Sequence, residues 1–272
     1  MTIITDEIVN DLSNMWGVLM LPSSVDLLAF MGQSNMAGRG VAAQAPVVPE
    51  GHGYEFRAIT APDRLSQLVE PFGQHEDRPE GIYEPGMKTG SMVSSFVNAY
   101  YAETGTPVVG VSAAKGGSAI AEWLPEGAYY RDAVERVQRC ELWLAARSVD
   151  MAHRNMVWCQ GCTDGDLHTD PQVYYERTKL VLTSFMRDCD LSYCFLIRIG
   201  NHRDDPALYV PIQKMQEKLA ADVPNIILVS QCLASFAAKG LMKDEFHYLQ
   251  EGYNLVGEEA GKASGAFVRA GH

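Results

Sequence analysis

Short runs of apolar residues alternate along the chain with longer segments whose apolar positions recur at helical spacing. The short runs are rich in Val, Ile and Leu, which is typical of strands covered on both faces; they lie at 25–31, 107–113, 155–159, 193–199 and 225–230. The longer segments predict helices at 131–148, 171–187, 209–221 and 249–267. The second of these begins with a proline after Thr169-Asp170, a combination that favours a helix start.

Strands that alternate with helices favour a parallel sheet with helices on both faces. We therefore predict an α/β fold, a three-layer α/β/α sandwich around a central sheet of roughly five parallel strands. No linker divides the 272 residues, so we expect a single domain over residues 1–272 with its core at about 25–268. Residues 41–88 are rich in proline, glycine and charge, and we interpret them as a long surface excursion near the functional site.

The composition, with 47% hydrophobic and 21% charged residues, is typical of a soluble globular enzyme. The 22 basic and 34 acidic side chains give a net charge of −12, which repels phosphate groups, so we expect neither nucleic-acid nor membrane partners. The N-terminal segment is acidic, and the apolar run 16–22 is too short to span a bilayer. We predict a cytoplasmic protein, or a secreted one if a leader was removed; the oligomeric state stays open.

The first candidate functional residue is Ser34, in the segment GQSNMAGRG directly after the first predicted strand. Ligands bind beyond the carboxyl ends of strands in such sheets. Backbone N–H groups at a helix start favour negative charge there, as a tetrahedral oxyanion requires. The alternative interpretation of Ser34 is a helix N-cap. The segment is neither a dinucleotide fingerprint nor a G-x-S-x-G elbow, since Met36 occupies the last glycine position.

Further candidates lie near other strand ends. Asp244 and His247 are three residues apart, so the carboxylate can reach Nδ1 of the imidazole and leave Nε2 to face a serine. The alternative is an ordinary exposed loop, in which Asp and His are common. Gly116-Gly117 can bring backbone N–H groups close to a bound oxygen, although paired glycines more often mark a plain turn. The side-chain amide of Gln160 can supply another oxyanion donor.

Together these segments resemble the SGNH hydrolase superfamily, and within it the sialate O-acetylesterase and acetylxylan-esterase-like group, carbohydrate esterase family six. Residues 32–36 reproduce the G-Q-S-N-M block of that family. The Gly-Gly-Ser/Thr block and its following tryptophan look like 116–118 and Trp123, and the D-x-x-H-Y-x-x-x-G-Y block looks like 244–253. The resemblance covers about residues 25–267 and implies a flavodoxin-like arrangement of the sheet.

This resemblance implies that Ser34 is the nucleophile, His247 the base and Asp244 its partner. The implied oxyanion donors are the backbone N–H groups of Ser34 and Gly117 and the side chain of Gln160. The implied reaction removes O-acetyl groups from sialic acids or from xylo- and other oligosaccharides through an acetyl-enzyme, with no metal and no cofactor. The side chains predicted to bind substrate are Gln33, Asn35, Trp123 and His202.

One block departs from the family, which usually has His-Gln-Gly-Glu where this chain has Cys159-Gln160-Gly161-Cys162. A zinc site would need two more ligands, and a thioredoxin-like redox pair would need a different fold context. Two packed thiols beside the site are the favoured interpretation. The replacements also support a second hypothesis, a non-catalytic carbohydrate-binding relative, although a binder has no need of an intact Ser34, Asp244 and His247.

Overall fold

The computed structural model describes residues 21–271, so most of the apolar run 16–22 lies outside the described residues. The strands are β1 (Ser24–Gly32), β2 (Gly53–Phe56), β3 (Leu65–Gln67), β4 (Val108–Ala114), β5 (Asp150–Cys159), β6 (Tyr193–Ile197) and β7 (Ile226–Ser230). The α-helices are α1 (Ser34–Ala37), α2 (Val93–Thr104), α3 (Ala128–Ala145), α4 (Cys162–Asp166), α5 (Pro171–Asp188), α6 (Val210–Asp222) and α7 (Gln250–Arg269). None of these helices is both long and apolar enough to cross a membrane.

The strands form a single sheet in the order β3-β2-β4-β1-β5-β6-β7. Every neighbouring pair is parallel except β2 and β3, which are antiparallel. The five predicted strands form the continuous run β4-β1-β5-β6-β7, which is the flavodoxin-like order with its switch point beside β1. The predicted fold class is therefore confirmed.

The predicted number of strands was too low, because the excursion at 41–88 contributes β2 and β3 to one edge of the sheet. Within it Tyr54 and Phe56 belong to the buried core, so this segment is not only a surface excursion. Strands of four and three residues contain too few positions to show a period. The polar residue between the two aromatics, Glu55, is also buried, where it accepts hydrogen bonds from Arg57 and from the backbone N–H of Gly73.

Two hydrophobic clusters cover the two faces of the sheet. Leu27, Ala29 and Met31 of β1 belong to the cluster beneath α3, α5 and α6. The alternate residues Leu28 and Phe30 belong to the cluster beneath α2 and α7. Because successive strand residues point to opposite faces, a strand covered on both faces is apolar throughout, as the sequence pattern of β1 predicts.

The sequence patterns did not predict α2, whose buried face includes Ser94 and Ser95 and therefore lacks a clear apolar stripe. It packs closely along α7 through glycines. A Cβ at Gly257 would lie 2.3 Å from the Met92 carbonyl oxygen, and one at Gly261 would lie 2.2 Å from the Phe96 carbonyl oxygen. Small residues at i and i+4 thus bring the two backbones together, and this contact fixes α7 against the rest of the fold.

The carboxyl ends of the three central strands are level with one another. Gly32, the last residue of β1, pairs with Ala114 of β4 on one side and Cys159 of β5 on the other. Gly32 has φ +136°, and a Cβ there would lie 2.1 Å from the Cys159 carbonyl oxygen, so only glycine fits this turn. The loops that begin with Gln33, Lys115 and Gln160 therefore start side by side.

Candidate active site

Ser34, His247 and Asp244 form a continuous hydrogen-bonded chain at this edge of the sheet. Ser34 Oγ lies 2.9 Å from His247 Nε2, and His247 Nδ1 lies 2.8 Å from Asp244 Oδ2. The serine is the first residue of α1, and the other two side chains lie in the loop before α7. This arrangement can pass a proton from the serine hydroxyl to the imidazole while the carboxylate orients the ring.

The loop around Asp244 is shaped by that carboxylate itself. Asp244 Oδ1 accepts hydrogen bonds from the backbone N–H groups of His247 at 2.7 Å and Phe246 at 3.1 Å. The backbone N–H of Lys243 donates to the His247 carbonyl oxygen at 2.8 Å and closes the turn. A side chain that bonds its own downstream backbone in this way is a common turn-forming device of Asp. The three-residue separation thus brings Oδ2 to the imidazole.

Burial keeps the imidazole of His247 neutral at neutral pH, and hydrogen bonds keep the carboxylate of Asp244 charged. Burial lowers the pKa of His247 below its ordinary value of 6.5, against the opposing effect of the hydrogen bond and charge of Asp244. Burial alone would raise the pKa of Asp244. Hydrogen bonds from the His247 side chain and from the backbone of His247 and Phe246 hold that pKa below its ordinary value. A neutral imidazole beside an anionic carboxylate is the state that a general base requires.

A cleft of about 420 Å³ opens over Ser34 and His247. Gln33, Gly117 and Thr163 line it on the side of the strand ends, and Met87 and Phe246 add apolar surface. A larger cleft of about 540 Å³ lies between residues 43–46 and helices α2 and α7, but it contains none of the predicted site residues. The smaller cleft is therefore the candidate active site.

Two backbone N–H groups are available to stabilise negative charge in this cleft. The N–H of Ser34 is at the start of α1, where it has no partner within the helix. Gly117 is exposed at a φ of +69°, and its N–H donates no hydrogen bond within residues 21–271. These positions are consistent with the prediction that both N–H groups are oxyanion donors. That role remains a proposal.

The structure places the side chain of Gln160 elsewhere. Gln160 is fully buried, and its Nε2 donates to the Ser118 carbonyl oxygen at 3.0 Å and to Asp164 Oδ2 at 2.6 Å. The carbonyl oxygen of Gln160 accepts hydrogen bonds from Tyr174 and Gln216. Because its donors are already used and it does not line the cleft, the prediction of Gln160 as an oxyanion donor was wrong. It holds the β4 and β5 loops together instead.

Two of the four predicted substrate-binding side chains, those of Trp123 and His202, lie outside the cleft. Trp123 is completely buried, and its Nε1–H donates to Ser118 Oγ at 2.8 Å, so it belongs to the core. His202 does not line the cleft; its Nδ1 accepts hydrogen bonds from the backbone N–H groups of Asp204 and Asp205. Aromatic and imidazole side chains near a strand end have no local signal that distinguishes packing from ligand contact.

The other two predicted substrate-binding residues flank Ser34. Asn35 is buried and donates through Nδ2 to the Phe246 carbonyl oxygen at 3.0 Å, so it positions the loop of His247 and does not face substrate. Gln33 does line the cleft, and its Oε1 accepts a hydrogen bond of 2.7 Å from the backbone N–H of Gly161. Of the four predictions, only Gln33 therefore lies where substrate can contact it.

Three charged residues of the cleft are not among the predicted site residues. Arg39 and Glu84 form a buried ion pair, with Nη2 and Oε2 2.7 Å apart. Lys115 also lines the cleft, and its Nζ donates to the Gly116 carbonyl oxygen at 2.8 Å. Arg39 lies in the same block as Ser34, which was a usable signal, whereas Glu84 belongs to the excursion and has no motif around it.

Two arginines that follow β6 in the chain lie outside the cleft. Arg198 pairs with Glu217, and Arg203 pairs with Asp204 at 2.8 Å and more distantly with Glu245 at 3.4 Å. The cleft is therefore lined by two cations, Arg39 and Lys115, and by the carboxylates Glu84 and Asp166.

The cysteine replacements place two buried thiols beside the site. Cys159 is fully buried, and Cys162, which lines the cleft, is 3% exposed. Burial raises the pKa of Cys159 to about 12 and that of Cys162 well above its ordinary value, so both are protonated at neutral pH. All six cysteines are free thiols. Among residues 21–271 no group of three His, Cys, Asp or Glu side chains is arranged to hold a metal ion.

Three solved structures illustrate the fold that this chain shares with known proteins. A protein from Arabidopsis thaliana matches with a TM-score of 0.69 and 21% identity, over 88% of this chain and 97% of its own. NanS matches with a TM-score of 0.68 and 15% identity, over 92% of this chain and 99% of its own. A carbohydrate acetylesterase from Xanthomonas citri matches with a TM-score of 0.58 and 15% identity, over 89% of this chain and 56% of its own. Identities this low establish the fold alone.

No curated protein sequence matches the chain significantly. One family model does, described as carbohydrate esterase, sialic acid-specific acetylesterase, and it covers residues 24–264. That span includes every strand, the serine of the G-Q-S-N-M block and the loop of Asp244 and His247. The chain therefore belongs to the sialic acid-specific acetylesterase family of carbohydrate esterases.

Proposed function

We propose that this carbohydrate esterase removes O-acetyl groups by serine catalysis, with Ser34 as nucleophile, His247 as general base and Asp244 as its orienting carboxylate. The observation that supports the proposal most directly is the hydrogen-bonded chain from Ser34 Oγ to His247 Nε2 at 2.9 Å and on to Asp244 at 2.8 Å. A non-catalytic carbohydrate binder gains nothing from a neutral imidazole aligned on a serine hydroxyl, so the geometry favours an enzyme.

The first half of the reaction acylates the enzyme. Ser34 Oγ attacks the acetyl carbonyl carbon and gives its proton to His247 Nε2, and the carbonyl oxygen becomes an oxyanion. The backbone N–H groups of Ser34 and Gly117 stabilise that oxyanion, which is the interaction that strengthens in the transition state. The tetrahedral intermediate then collapses, the sugar oxygen takes the proton from His247, and the deacetylated sugar leaves.

The second half releases acetate. Water replaces the sugar, loses a proton to His247 Nε2 and attacks the acetyl carbon on Ser34. The same two backbone donors hold the second oxyanion, and the collapse returns the proton to Ser34 Oγ. Asp244 keeps the ring oriented in both halves through its bond to Nδ1 of His247.

The substrate of this proposal is an O-acetylated sugar, either a sialic acid or an acetylated oligosaccharide. Met87 and Phe246 provide apolar surface for the acetyl group or a sugar face, and the cleft is open enough for a ring. Arg39 is neutralised by Glu84, whereas Lys115 has no carboxylate partner within residues 21–271. An acidic sugar would place its carboxylate within the field of Lys115.

The test compares wild type with Ser34→Ala and His247→Ala on 4-nitrophenyl acetate and on acetylated sugars of both classes. Removal of an activated nucleophile is expected to lower kcat by several powers of ten. His75→Ala, which removes an exposed histidine of the excursion, is the matched control and should retain full activity. A fluorophosphonate probe should label wild type at Ser34 and leave Ser34→Ala unlabelled.

Equal hydrolysis by wild type and Ser34→Ala would contradict the assignment of the nucleophile. An inert wild type whose Ser34 does not react with the probe would contradict the enzymatic proposal and favour a binding protein.

A further inference from the structure

We propose that Glu84 is a positioning residue for the oxyanion hole, because its carboxylate fixes the Gly116-Gly117 turn against the segment that follows the nucleophile. This inference rests on the proposed function and names a residue from the excursion that no motif marks. Glu84 is 5% exposed and lines the cleft, and its carboxylate hydrogen-bonds to Arg39 and Gly116 and not to the serine or the imidazole.

A single carboxylate oxygen of Glu84 bonds both to the Gly116-Gly117 turn and to Arg39. Glu84 Oε2 accepts a hydrogen bond of 2.9 Å from the backbone N–H of Gly116 and one of 2.7 Å from Arg39 Nη2. Gly116 directly precedes Gly117, whose N–H is the proposed oxyanion donor. A shift of Glu84 would therefore move the peptide plane next to that donor.

Arg39 connects the same carboxylate to the nucleophile. Its Nη1 donates to the Gly38 carbonyl oxygen at 3.0 Å, and the N–H of Gly38 donates to the Ser34 carbonyl oxygen at 2.8 Å. The carbonyl oxygen of Arg39 accepts a hydrogen bond of 2.7 Å from Lys243 Nζ, in the residue next to Asp244. Glu84 thus joins the oxyanion turn to the element that presents Ser34.

The Gly116-Gly117 turn packs against the ion pair with no space for a side chain between them. A Cβ at Gly116 would lie 2.1 Å from Arg39 Nη2 and 2.7 Å from Glu84 Oε2, so the turn lies directly against the ion pair. The backbone of Glu84 is itself held, since its N–H donates to Asp77 Oδ1 at 2.8 Å. The carboxylate therefore has a fixed position from which to hold the turn.

The expected consequence concerns the transition state more than substrate binding. An oxyanion donor acts on charge that develops during the reaction, so its displacement lowers kcat and leaves KM nearly unchanged. Loss of one such donor typically costs about 100- to 1000-fold in kcat, and a misplacement of about 1 Å can cost about 100-fold.

The experiment measures kcat, KM and the inhibition constant of phenylboronic acid, which forms a tetrahedral adduct with an active serine, for Glu84→Ala, Glu84→Gln and Glu84→Asp. For Glu84→Ala we expect about a 100-fold lower kcat, a KM within about threefold of wild type, and a similar loss of boronate affinity. Glu84→Gln keeps an acceptor oxygen and should recover part of kcat. Glu84→Asp keeps the charge but shortens the side chain, so it should still lose about tenfold.

Glu76 offers a matched control, because it is another buried carboxylate of the same excursion. It accepts hydrogen bonds from the backbone N–H groups of Ile59 and Thr60 and lies outside the cleft. Glu76→Ala and Glu76→Asp should lower thermal stability and leave kcat and boronate affinity unchanged. If Glu84→Ala does not fold, Glu84→Asp provides the measurement.

A folded Glu84→Asp with wild-type kcat and boronate affinity would overturn the inference. Equal losses of kcat in the Glu76 variants would also overturn it, since the effect would then be one of general stability. In both cases the proposed function would still hold, provided that the activity of the wild type requires Ser34. An inert wild type would remove the proposed function and this inference together.

Discussion

The hydroxyl of Tyr253 donates a hydrogen bond of 2.8 Å to Oδ1 of Asn35, the residue that follows the proposed nucleophile. Both side chains are buried. Asn35 uses its Nδ2 to donate to the carbonyl oxygen of Phe246, which directly precedes His247. One amide therefore links α1, α7 and the loop of the proposed general base, and the distance from Ser34 to His247 depends on it.

Asn35→Ala is expected to lower kcat by about 10- to 100-fold, because the loop of His247 loses its fixed position relative to Ser34. It should also lower the free energy of unfolding by about 1–3 kcal/mol, since the buried hydroxyl of Tyr253 loses its acceptor. Steady-state kinetics and urea unfolding measure the two effects. Tyr253→Phe is the control: it removes the hydroxyl but keeps the amide, so stability should fall by about 1 kcal/mol and kcat by less than about threefold. An Asn35→Ala variant with wild-type kcat would contradict the positioning role.

The pH dependence of kcat/KM should follow the protonation of His247. The reaction needs the neutral imidazole, so activity is lost as the pH falls through the pKa of that ring. Burial places this pKa below 6.5, and the acid limb should therefore have its midpoint below pH 6.5. Initial rates between pH 4 and pH 8 measure it; a midpoint above pH 7 would show that a different group controls the rate.

Substitution of Lys243 provides a second test of the acid limb of the pH profile. Its positive charge lowers the pKa of His247, so Lys243→Met should raise that pKa and move the acid limb towards higher pH. Lys239→Met is the control, because Lys239 is exposed over the ring of Phe236 and is not among the main influences on the pKa of His247. A shift of the same size in both variants would indicate a nonspecific effect of net charge.

The thiols near the site should be unreactive in the folded protein. Burial raises the pKa values of Cys159 and Cys162, and the thiolate is the species that reacts with alkylating agents. Iodoacetamide at about pH 7.5 should neither label these two residues nor inactivate the enzyme. In about 6 M guanidinium chloride at the same pH, both residues should be labelled completely. Mass spectrometry of the peptides checks this, and rapid inactivation that substrate prevents would contradict it.

Phe246 and Trp123 should respond differently to substitution. Phe246 lines the cleft beside His247, so Phe246→Ala should raise KM for an acetylated sugar by about tenfold through lost apolar contact. Trp123 is buried, so Trp123→Phe should leave KM unchanged and lower the free energy of unfolding by about 1–3 kcal/mol through the lost bond to Ser118. Kinetics and urea unfolding of the folded variants measure both, and a raised KM in Trp123→Phe alone would restore its predicted contact with substrate.

Much of the fold could be predicted from local pattern. The five predicted strands are continuous apolar runs, and the four longest helices have apolar positions at helical spacing, so each is visible within its own segment. Helix α2 and strands β2 and β3 could not be predicted in this way. The buried face of α2 includes serines, and Glu55 of β2 is a buried carboxylate that accepts hydrogen bonds from the nearby Arg57 and from the backbone N–H of Gly73, 18 residues further along the chain. Burial of a polar side chain depends on contacts that no short window contains.

The sequence by itself determined the parallel α/β sheet and the candidate residues Ser34, Asp244 and His247, because apolar runs, helical spacing and short motifs are local properties of the chain. Only the tertiary structure decided which neighbouring side chains face the cleft. Gln160 and Trp123 have the right residue types near strand ends, yet packing turns both into the interior. Glu84 has no motif at all and reaches Gly116 and Arg39 only because the excursion folds back over the strand ends. Direction and distance between remote segments are set by the packed fold, so a linear pattern cannot contain them.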